Sequence, residues 1–227
     1  MAEDNDAVNQ AFNARQAFWS KWGAVHPDVI APIINPTFSG GPRWPSFRQS
    51  WRVVRRGPLT LVASDGLSDH FEDEKPPSST GFGLEFFALT ADRLDAQIQR
   101  TWLFELVFQC SQLAASNRRI RPMLEQLGTI STQVYGVDAP DEWKTDDGSV
   151  GLLLNLHDTR PDAIGSTMSL PLGKALAVNV KMLTRLELQF IAANGERGRA
   201  DVAQKLVSLG DIHGSSVSRR SVVSPPQ

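Results

Sequence analysis

The sequence predicts an α/β fold, of the α+β kind, in which a sheet packs against helices. Two apolar runs with strand-like alternation, 59–64 and 82–90, lie on either side of a polar crossing. A third run, 150–156, is almost continuously apolar, which is typical of a buried strand. Residues 5–23 and 95–116 instead repeat apolar side chains at helical spacing. Because 95–116 is apolar over most of its circumference, we expect the sheet to cover one side of this helix.

The composition is that of an ordinary globular protein, and it limits the classes of function. Of 227 residues, 21% are charged, and the formal net charge is −2, so no overall positive field attracts nucleic acid or an anionic membrane. A single cysteine excludes an internal disulfide framework and multi-cysteine zinc motifs. The acidic start lacks the apolar core of a signal peptide, and no apolar run approaches the ~20 residues of a membrane span. We therefore expect a cytoplasmic protein without nucleic-acid or membrane partners.

The chain divides into three parts by pattern. We predict an N-terminal helix in 1–23, an α/β domain in 24–212 and a disordered tail in 213–227, where serine, arginine and proline replace the apolar periodicity. Residues 24–50 are rich in proline and glycine and are expected to be irregular, with Trp44 and Phe47 fixing this loop to the body.

Local signals define the remaining elements of the domain. Thr184 and Glu187 form a capping box that opens a helix ending at Gly195. Basic residues after Asn117 suit the C-terminal end of the long helix. The further strands that we expect are 50–54, 129–135 and 176–183, and a last helix ends at Gly210.

The crossing between the first two strands carries an unusual charge. Five of its side chains are acidic, and they are partly offset by one lysine: Asp65, Asp69, Glu72, Asp73 and Glu74. Such a segment repels itself in isolation. We therefore expect the acidic crossing to lie at the surface and to be covered by another macromolecule.

Motifs for enzymatic chemistry are absent from the sequence. It has neither a Gly-rich nucleotide fingerprint nor a Gly-x-Ser-x-Gly nucleophile elbow, and the four histidines are scattered. The cluster Asp69, His70, Glu72, Asp73 and Glu74 could hold magnesium or calcium and activate water, which leaves a metal-dependent hydrolase as an alternative. Because consecutive loop residues point in different directions, an acidic recognition loop is the preferred interpretation.

The same stretch resembles the signature of the suppressor of fused family. That signature is a Gly-Leu-Ser-Asp turn, then an aromatic and an acidic residue, then a Gly-aromatic-x-x-Glu strand. Here the matching residues are Gly66-Leu67-Ser68-Asp69, Phe71, Asp73 and Gly81-Phe82-Gly83-Leu84-Glu85. The segment Trp102-Leu103-Phe104-Glu105-Leu106 is similar to the start of the family's following helix. The likeness runs from about Pro45 to Gly210.

The resemblance implies a single SUFU-like domain of the bacterial type, with a mixed, largely antiparallel sheet packed against helices. It also implies a protein-binding module with no enzymatic activity and no cofactor. Animal members have two lobes and grip a short peptide of a Gli-type transcription factor as an added strand, whereas many smaller bacterial members are thought to be immunity proteins of polymorphic toxin systems. This chain is about one lobe long, and Asp65 replaces a frequent aromatic, so Gli-like peptide capture is not carried over.

We therefore predict an immunity protein that neutralises a cognate toxin by stoichiometric binding, with no metal and no catalytic residue. In animal members the gripping site includes the acidic residue that falls here on Asp73. The predicted protein-binding residues are Asp69, Phe71, Glu72, Asp73 and Glu74. The alternatives are the metal-dependent hydrolase that uses the Asp69–Asp73 cluster, and a regulator that sequesters a transcription factor.

Overall fold

The structure, a computed structural model, describes residues 2–94, 97–210 and 212–224. Its helices are α1 (Ala2–Ser20), α2 (Trp102–Ser116), α3 (Ile120–Leu127) and α4 (Arg185–Ser208). Its strands are β1 (Ala24–Val25), β2 (Ser50–Arg56), β3 (Leu59–Asp65), β4 (Leu84–Thr90), β5 (Ile130–Val134), β6 (Val150–Leu154), β7 (Thr167–Leu170) and β8 (Gly173–Leu183). Short 3₁₀ helices lie at Pro36–Ser39, Ile98–Arg100 and Asp141–Trp143.

The strands form one mixed sheet in which antiparallel pairs prevail. Their order is β1-β2-β3-β4-β8-β6-β5, and β7 pairs with β8 outside this path. Among the pairs of the described chain, β4 and β8 run parallel, with Leu84 opposite Leu176, and the others are antiparallel. The expected fold class, a mixed and largely antiparallel sheet packed against helices, is confirmed.

The long strand β8 joins two parts of the sheet. Its residues 176–179 pair with β4, and its residues 180–183 pair with β6. The strand β7 lies on the other side of the first half of β8 and therefore forms an edge. Beyond residue 179, β4 and β8 separate, and this leaves a fork in the sheet.

Alternate residues of each strand supply the cores on the two faces of the sheet. One face, with Val62, Phe86 and Val180, packs against α2 in a large apolar cluster. The opposite face, with Leu61 and Phe87, packs against Trp19 of α1, and its other half packs against α4. The long helix is therefore covered by the sheet on one side, as its wide apolar stripe predicted.

Most predicted elements are found, with shifted ends. The strand predicted at 59–64 is Leu59–Asp65, and the helix predicted at 5–23 is Ala2–Ser20. The helix predicted at 95–116 begins later, at Trp102, because Thr101 caps it by accepting a hydrogen bond from the amide of Phe104 at 3.4 Å. Positions 95 and 96 lie outside the described residues. No helix within the described ranges is long and apolar enough to span a bilayer.

The predicted start and end of the helix that opens at Thr184 are also found. The capping box of Thr184 and Glu187 is formed, since the Glu187 amide donates to Thr184 Oγ1 and the Thr184 amide donates to Glu187 Oε2 at 2.9 Å. Gly195 takes non-helical angles (φ 57°, ψ −133°), so α4 consists of two helical segments that meet at this residue.

Besides the two-residue strand β1 and the short 3₁₀ helices, one helix and one longer strand were not predicted. The basic run after Asn117 was interpreted as the end of a helix, yet it opens α3, whose first turn accommodates Pro122. The four-residue strand β7 follows an irregular stretch and has only Met168 and Leu170 as buried residues, so its alternation is too short to identify.

The prediction of a disordered tail is wrong for residues 213–224. This segment packs at the fork of the sheet, where the Ser215 amide donates to the Leu89 carbonyl at 2.7 Å and Asn179 Nδ2 donates to the His213 carbonyl at 3.0 Å. Farther on, Arg219 donates to both oxygens of the buried Glu187, at 2.6 and 2.8 Å. These contacts offset the low hydrophobicity of the tail. Positions 225–227 lie outside the described residues.

We predict that Glu187→Ala will destabilise the protein by about 3 kcal/mol, because it breaks the pair with Arg219 and removes a helix cap. Urea denaturation measures the loss, and limited proteolysis should cut first in the tail. Glu196→Ala, at an exposed position of the same helix, is the matched control and should change the free energy of unfolding by less than about 0.5 kcal/mol. Equal effects of the two substitutions would contradict this account of the tail.

Candidate functional site

A network of charged side chains lies inside the protein beneath the acidic crossing. Its members come from α1, β2, β3, β4 and the turn after β3, and each is at most 1% exposed: Arg15, Arg52, Asp65, Asp69 and Glu85. Burying an isolated charge costs several kcal/mol, so such groups are found where they compensate one another. We call this set the buried ionic network.

Arg15 is the centre of the buried ionic network. Its Nε donates to Asp65, its Nη2 donates to Asp69 Oδ1 at 2.7 Å, and its Nη1 donates to Ser68 Oγ at 3.2 Å. Burial alone would lower the pKa of Arg15, but the carboxylates of Asp65, Asp69 and Glu85 together raise it above its ordinary value. The guanidinium therefore stays charged and connects α1 to the turn after β3.

A second arginine completes the surroundings of Asp65. Arg52 Nε lies 2.5 Å from Asp65 Oδ2, in a second buried ion pair. The guanidinium of Arg52 lies 3.9 Å from the centre of the Phe12 ring, and that of Arg48 lies 3.8 Å from the same ring. The ring thus receives cation–π contacts from both arginines.

Glu85 of β4 fixes the Gly66-Leu67-Ser68-Asp69 turn after β3. Its Oε1 accepts hydrogen bonds from the amides of Gly66 and Ser68, both at 3.0 Å, and from Ser68 Oγ at 2.7 Å. Its Oε2 accepts a hydrogen bond from Ser64 Oγ at 2.5 Å. Burial raises the pKa of Glu85 above its ordinary value, against the opposing effect of Arg15 and together with the effect of Asp65.

The first glycine of the signature is required by a close approach of the backbone. Gly66 has φ 139°, and a Cβ atom at this position would lie 2.3 Å from the carbonyl oxygen of Arg48. The segment Gly66-Leu67-Ser68-Asp69 therefore forms a turn that surrounds the buried carboxylate of Glu85.

The expectation that Asp69 belongs to the exposed acidic surface is wrong. Asp69 is 0% exposed, and besides Arg15 it accepts a hydrogen bond from Ser46 Oγ at 2.8 Å. Asp65 is buried in the same way. Both carboxylates are neutralised by a cation from a distant part of the chain, which the local repetition of acidic residues does not reveal.

The other predicted binding residues lie at or near the surface. Phe71 is half-buried, with its ring 5.5 Å from that of Phe82 and 4.8 Å from the guanidinium of Arg118. Asp73 is exposed. The role of Phe71, Glu72, Asp73 and Glu74 in binding a protein stays a prediction.

Glu72 and Glu74 are held in place by hydrogen bonds. Glu72 accepts from the Phe47 amide at 2.8 Å and from Arg43 at 3.2 Å. Glu74 accepts from the amide and hydroxyl of Ser79, at 3.0 and 2.6 Å. Slight burial would raise the pKa of Glu74, but the hydrogen bonds from Ser79 and Ser78 lower it below its ordinary value. Glu72 and Glu74 are therefore held by hydrogen bonds, and the lowered pKa keeps the carboxyl group of Glu74 ionised.

An apolar group lies beside this outer part, in the loop before β2. Four large side chains are between 54% and 104% exposed: Ile33, Ile34, Phe38 and Phe47. The rings of Phe38 and Phe47 stack with centres 5.9 Å apart, and Asn35 Nδ2 donates to the Phe47 carbonyl at 2.7 Å. We call Ile33, Ile34, Phe38, Phe47, Glu72, Asp73 and Glu74 together the apolar–acidic surface. The expectation that Phe47 is an internal anchor is wrong, whereas Trp44 is buried as expected.

The acidic side chains of the metal-dependent alternative do not converge on one point in the described residues. Within the described part of the chain, no three His, Cys, Asp or Glu side chains converge so that they could hold a metal ion. Asp69 is engaged by Arg15 and Ser46, and His70 is buried beside it.

Burial raises the pKa of the lone Cys110, so its thiol is kept protonated.

Comparison with known proteins identifies the fold. No family model and no curated protein matches the sequence. The crystal structure of Drosophila Suppressor of Fused is similar, with a TM-score of 0.57 and 15% identity over 95% of this chain. A chain of the Sufu–Fu complex is similar with a TM-score of 0.50 and 18% identity, over 95% of this chain and 92% of its own length. The fold is therefore SUFU-like, and the chain spans about half, 51%, of the Drosophila protein.

We predict that Arg15→Met will destabilise the protein by about 3–5 kcal/mol, because it leaves buried carboxylates without their cation. Thermal and urea denaturation measure the effect. Gln16→Met, at an exposed position of the same helix, should cost less than about 0.5 kcal/mol. A variant Arg15→Met as stable as the wild type would show that the network does not support the fold.

We predict that Glu85 contributes to the free energy of unfolding and that this contribution decreases as the pH rises. Because the native pKa of Glu85 is raised above 4.5, the native state binds this proton more tightly than the unfolded state does. The contribution is complete below about pH 4.5 and is lost as the pH rises through the native pKa. The free energy of unfolding of the wild type minus that of Glu85→Gln should therefore fall as the pH rises above about 4.5. A difference that rises with pH would contradict the raised pKa.

Proposed function

We propose that this protein is a non-enzymatic, protein-binding module, and that it acts as a bacterial immunity protein that neutralises a cognate toxin in the cytoplasm. The observation that carries the proposal is the apolar–acidic surface. Large exposed apolar side chains next to ordered carboxylates are typical of a protein interface and are costly to leave in water. The SUFU-like fold supports the same conclusion, since one similar chain was crystallised in a Sufu–Fu complex.

The proposed mechanism is stoichiometric occlusion. Phe38 and Phe47 present stacked rings that can enter a partner's apolar pocket, and such aromatic anchors supply most of the affinity in many interfaces. Asp73, which is exposed, and the ordered Glu72 and Glu74 favour a basic partner face and raise the association rate. Asp69 has no contact with the partner in this mechanism, because together with Arg15 it holds the turn on which Phe71 and the three acids are mounted.

The two alternatives differ in how far the site supports them. A regulator that sequesters a transcription factor would use the same apolar–acidic surface, and only the identity of the partner separates it from an immunity protein. The metal-dependent hydrolase needs a convergent carboxylate cluster, and the inward position of Asp69 removes one of the intended ligands. We therefore propose no enzymatic role.

The direct test is co-expression with the protein encoded by the neighbouring upstream gene. An immunity protein should form a 1:1 complex with that protein and restore the growth of cells that express it. A complex that represses or releases a promoter without any effect on growth would favour the sequestering regulator. Turnover of a substrate by the purified chain would overturn the proposal.

We predict that two substitutions will separate the roles of charge and apolar contact in this complex. Asp73→Lys should lower the association rate constant about tenfold and change dissociation little, because it reverses a peripheral charge. Phe38→Ser should mainly raise the dissociation rate constant, with a loss of affinity of about 2 kcal/mol. Surface plasmon resonance at two salt concentrations measures both constants.

The matched control is Glu196→Lys, which reverses an exposed charge on α4, away from the apolar–acidic surface. It should leave both rate constants unchanged. Thermal denaturation of all three variants should coincide with that of the wild type, since none of the substituted side chains is buried. If Asp73→Lys and Phe38→Ser bind as the control does, this surface is not the interface.

A further inference from the structure

A second surface, separate from the apolar–acidic surface, lies along the edge strand β7. It is a groove of about 960 Å³ between α1, the end of β2 and the segment that leads into β7. Its walls include the half-buried rings of Phe18 and Trp22, the cations of Lys21 and Arg56, and the exposed residues Thr167 and Ser169. We call these six residues the β7 groove. Its volume is at the upper end of the range that is usual for ligand sites.

The backbone of β7 offers unpaired hydrogen-bonding groups to this groove. The Ala177 amide donates to the Ser166 carbonyl at 2.9 Å, so these two residues form a hydrogen-bonded pair of the β7–β8 ladder. Hydrogen-bonded and non-hydrogen-bonded pairs alternate along an antiparallel ladder. Thr167 and Ser169 therefore turn their N–H and C=O groups away from β8, and they are the two β7 residues that line the groove.

The helix α1 packs against β7, but no strand in the described part of the chain pairs with the outer edge of β7. The strand pairs with β8 and with no other strand there. An edge strand whose outward groups face a groove is a site at which an extended segment can add as a further strand. Neither a charged residue nor a proline lies within β7 to hinder such pairing.

The charges of the groove specify the segment that fits it. Lys21 is exposed, and Arg56 is oriented by donating to the Asp162 carbonyl at 3.3 Å. The Asp162 carboxylate lies 3.7 Å from Arg56 Nη2 and offsets one of the two cations, so the lining keeps one net positive charge. This sign is opposite to the net charge of −2 of the whole protein. Phe18 and Trp22 add apolar area to the same lining, with the guanidinium of Arg56 5.8 Å from the centre of the Trp22 ring.

We propose that the β7 groove binds an extended, acidic segment of a partner protein. The segment pairs with the outward backbone groups of Thr167 and Ser169, its carboxylates contact Lys21 and Arg56, and an apolar side chain rests on Phe18 and Trp22. Because the side chains of a strand alternate, acidic and apolar residues in turn satisfy both kinds of contact. The segment is a second ligand, and it shares no residue with the apolar–acidic surface.

The test uses the full chain and two fluorescein-labelled heptapeptides, one alternating glutamate with leucine and the other alternating lysine with leucine. Fluorescence anisotropy should give a dissociation constant at least about tenfold lower for the glutamate peptide. Lys21→Glu should abolish this preference, whereas Arg197→Glu, at an exposed position of α4, and Asp73→Lys should leave it unchanged. Equal binding of both peptides, or an equal effect of Lys21→Glu and Arg197→Glu, would overturn the proposal.

Backbone pairing is tested from the side of the peptide, so that the protein stays intact. Glutamate peptides that are N-methylated at alternate residues, in the two opposite phases, keep their side chains but lose one set of N–H donors each. One of the two N-methylated peptides should bind at least about tenfold more weakly than the unmodified peptide, and the other should bind with the same affinity. The reason is that only one of the two sets of peptide N–H groups faces β7. If neither phase weakens binding, the groove attracts acidic peptides by charge alone, and the proposal of an added strand is wrong.

Discussion

The interaction on which the rest of the structure depends is the contact of Arg15 with Asp65 and Asp69. It joins the first helix to the turn after β3, with no exposure to solvent at any of the three side chains. Pairs of this kind add little net stability compared with an apolar core, because desolvation offsets much of the attraction. They do fix geometry, since the loss of one partner leaves a buried charge. The network thus determines where the chain leaves β3.

This constraint has a consequence for function. Glu85 and Arg15 hold the inner half of the crossing, residues 65–69. In the outer half, residues 70–75, Glu72 and Glu74 are held by hydrogen bonds from Phe47 and Ser79, and Asp73 is exposed between them. A preorganised surface loses less conformational entropy when it binds a partner. Asp73 belongs both to the signature and to the proposed interface, but the buried residues of the signature and the other residues of the interface are different sets with different roles. The first set shapes the turn, and the second carries the contacts.

A feature could be predicted from the sequence where the residues that produce it are close together in the chain. The alternation of β3 and β4 and the capping box of Thr184 and Glu187 are local, and the structure contains them. The burial of Asp69 depends on Arg15, which lies 54 residues earlier, and a run of acidic residues gives no indication of that partner. The order of the tail similarly depends on the distant Glu187. The exposed rings of Phe38 and Phe47 were not predicted either, because aromatic residues in a loop are more often buried.

The central claim is that the inner half of the crossing is structural and that the apolar–acidic surface is the interface. Hydrogen exchange of the free protein and of its 1:1 complex with the partner tests both parts at once. We expect the amides of residues 64–69 and 84–90 to be protected already in the free protein, and those of 33–47 and 72–74 to gain protection only in the complex. Gain of protection elsewhere, with 33–47 and 72–74 unchanged, would contradict the account.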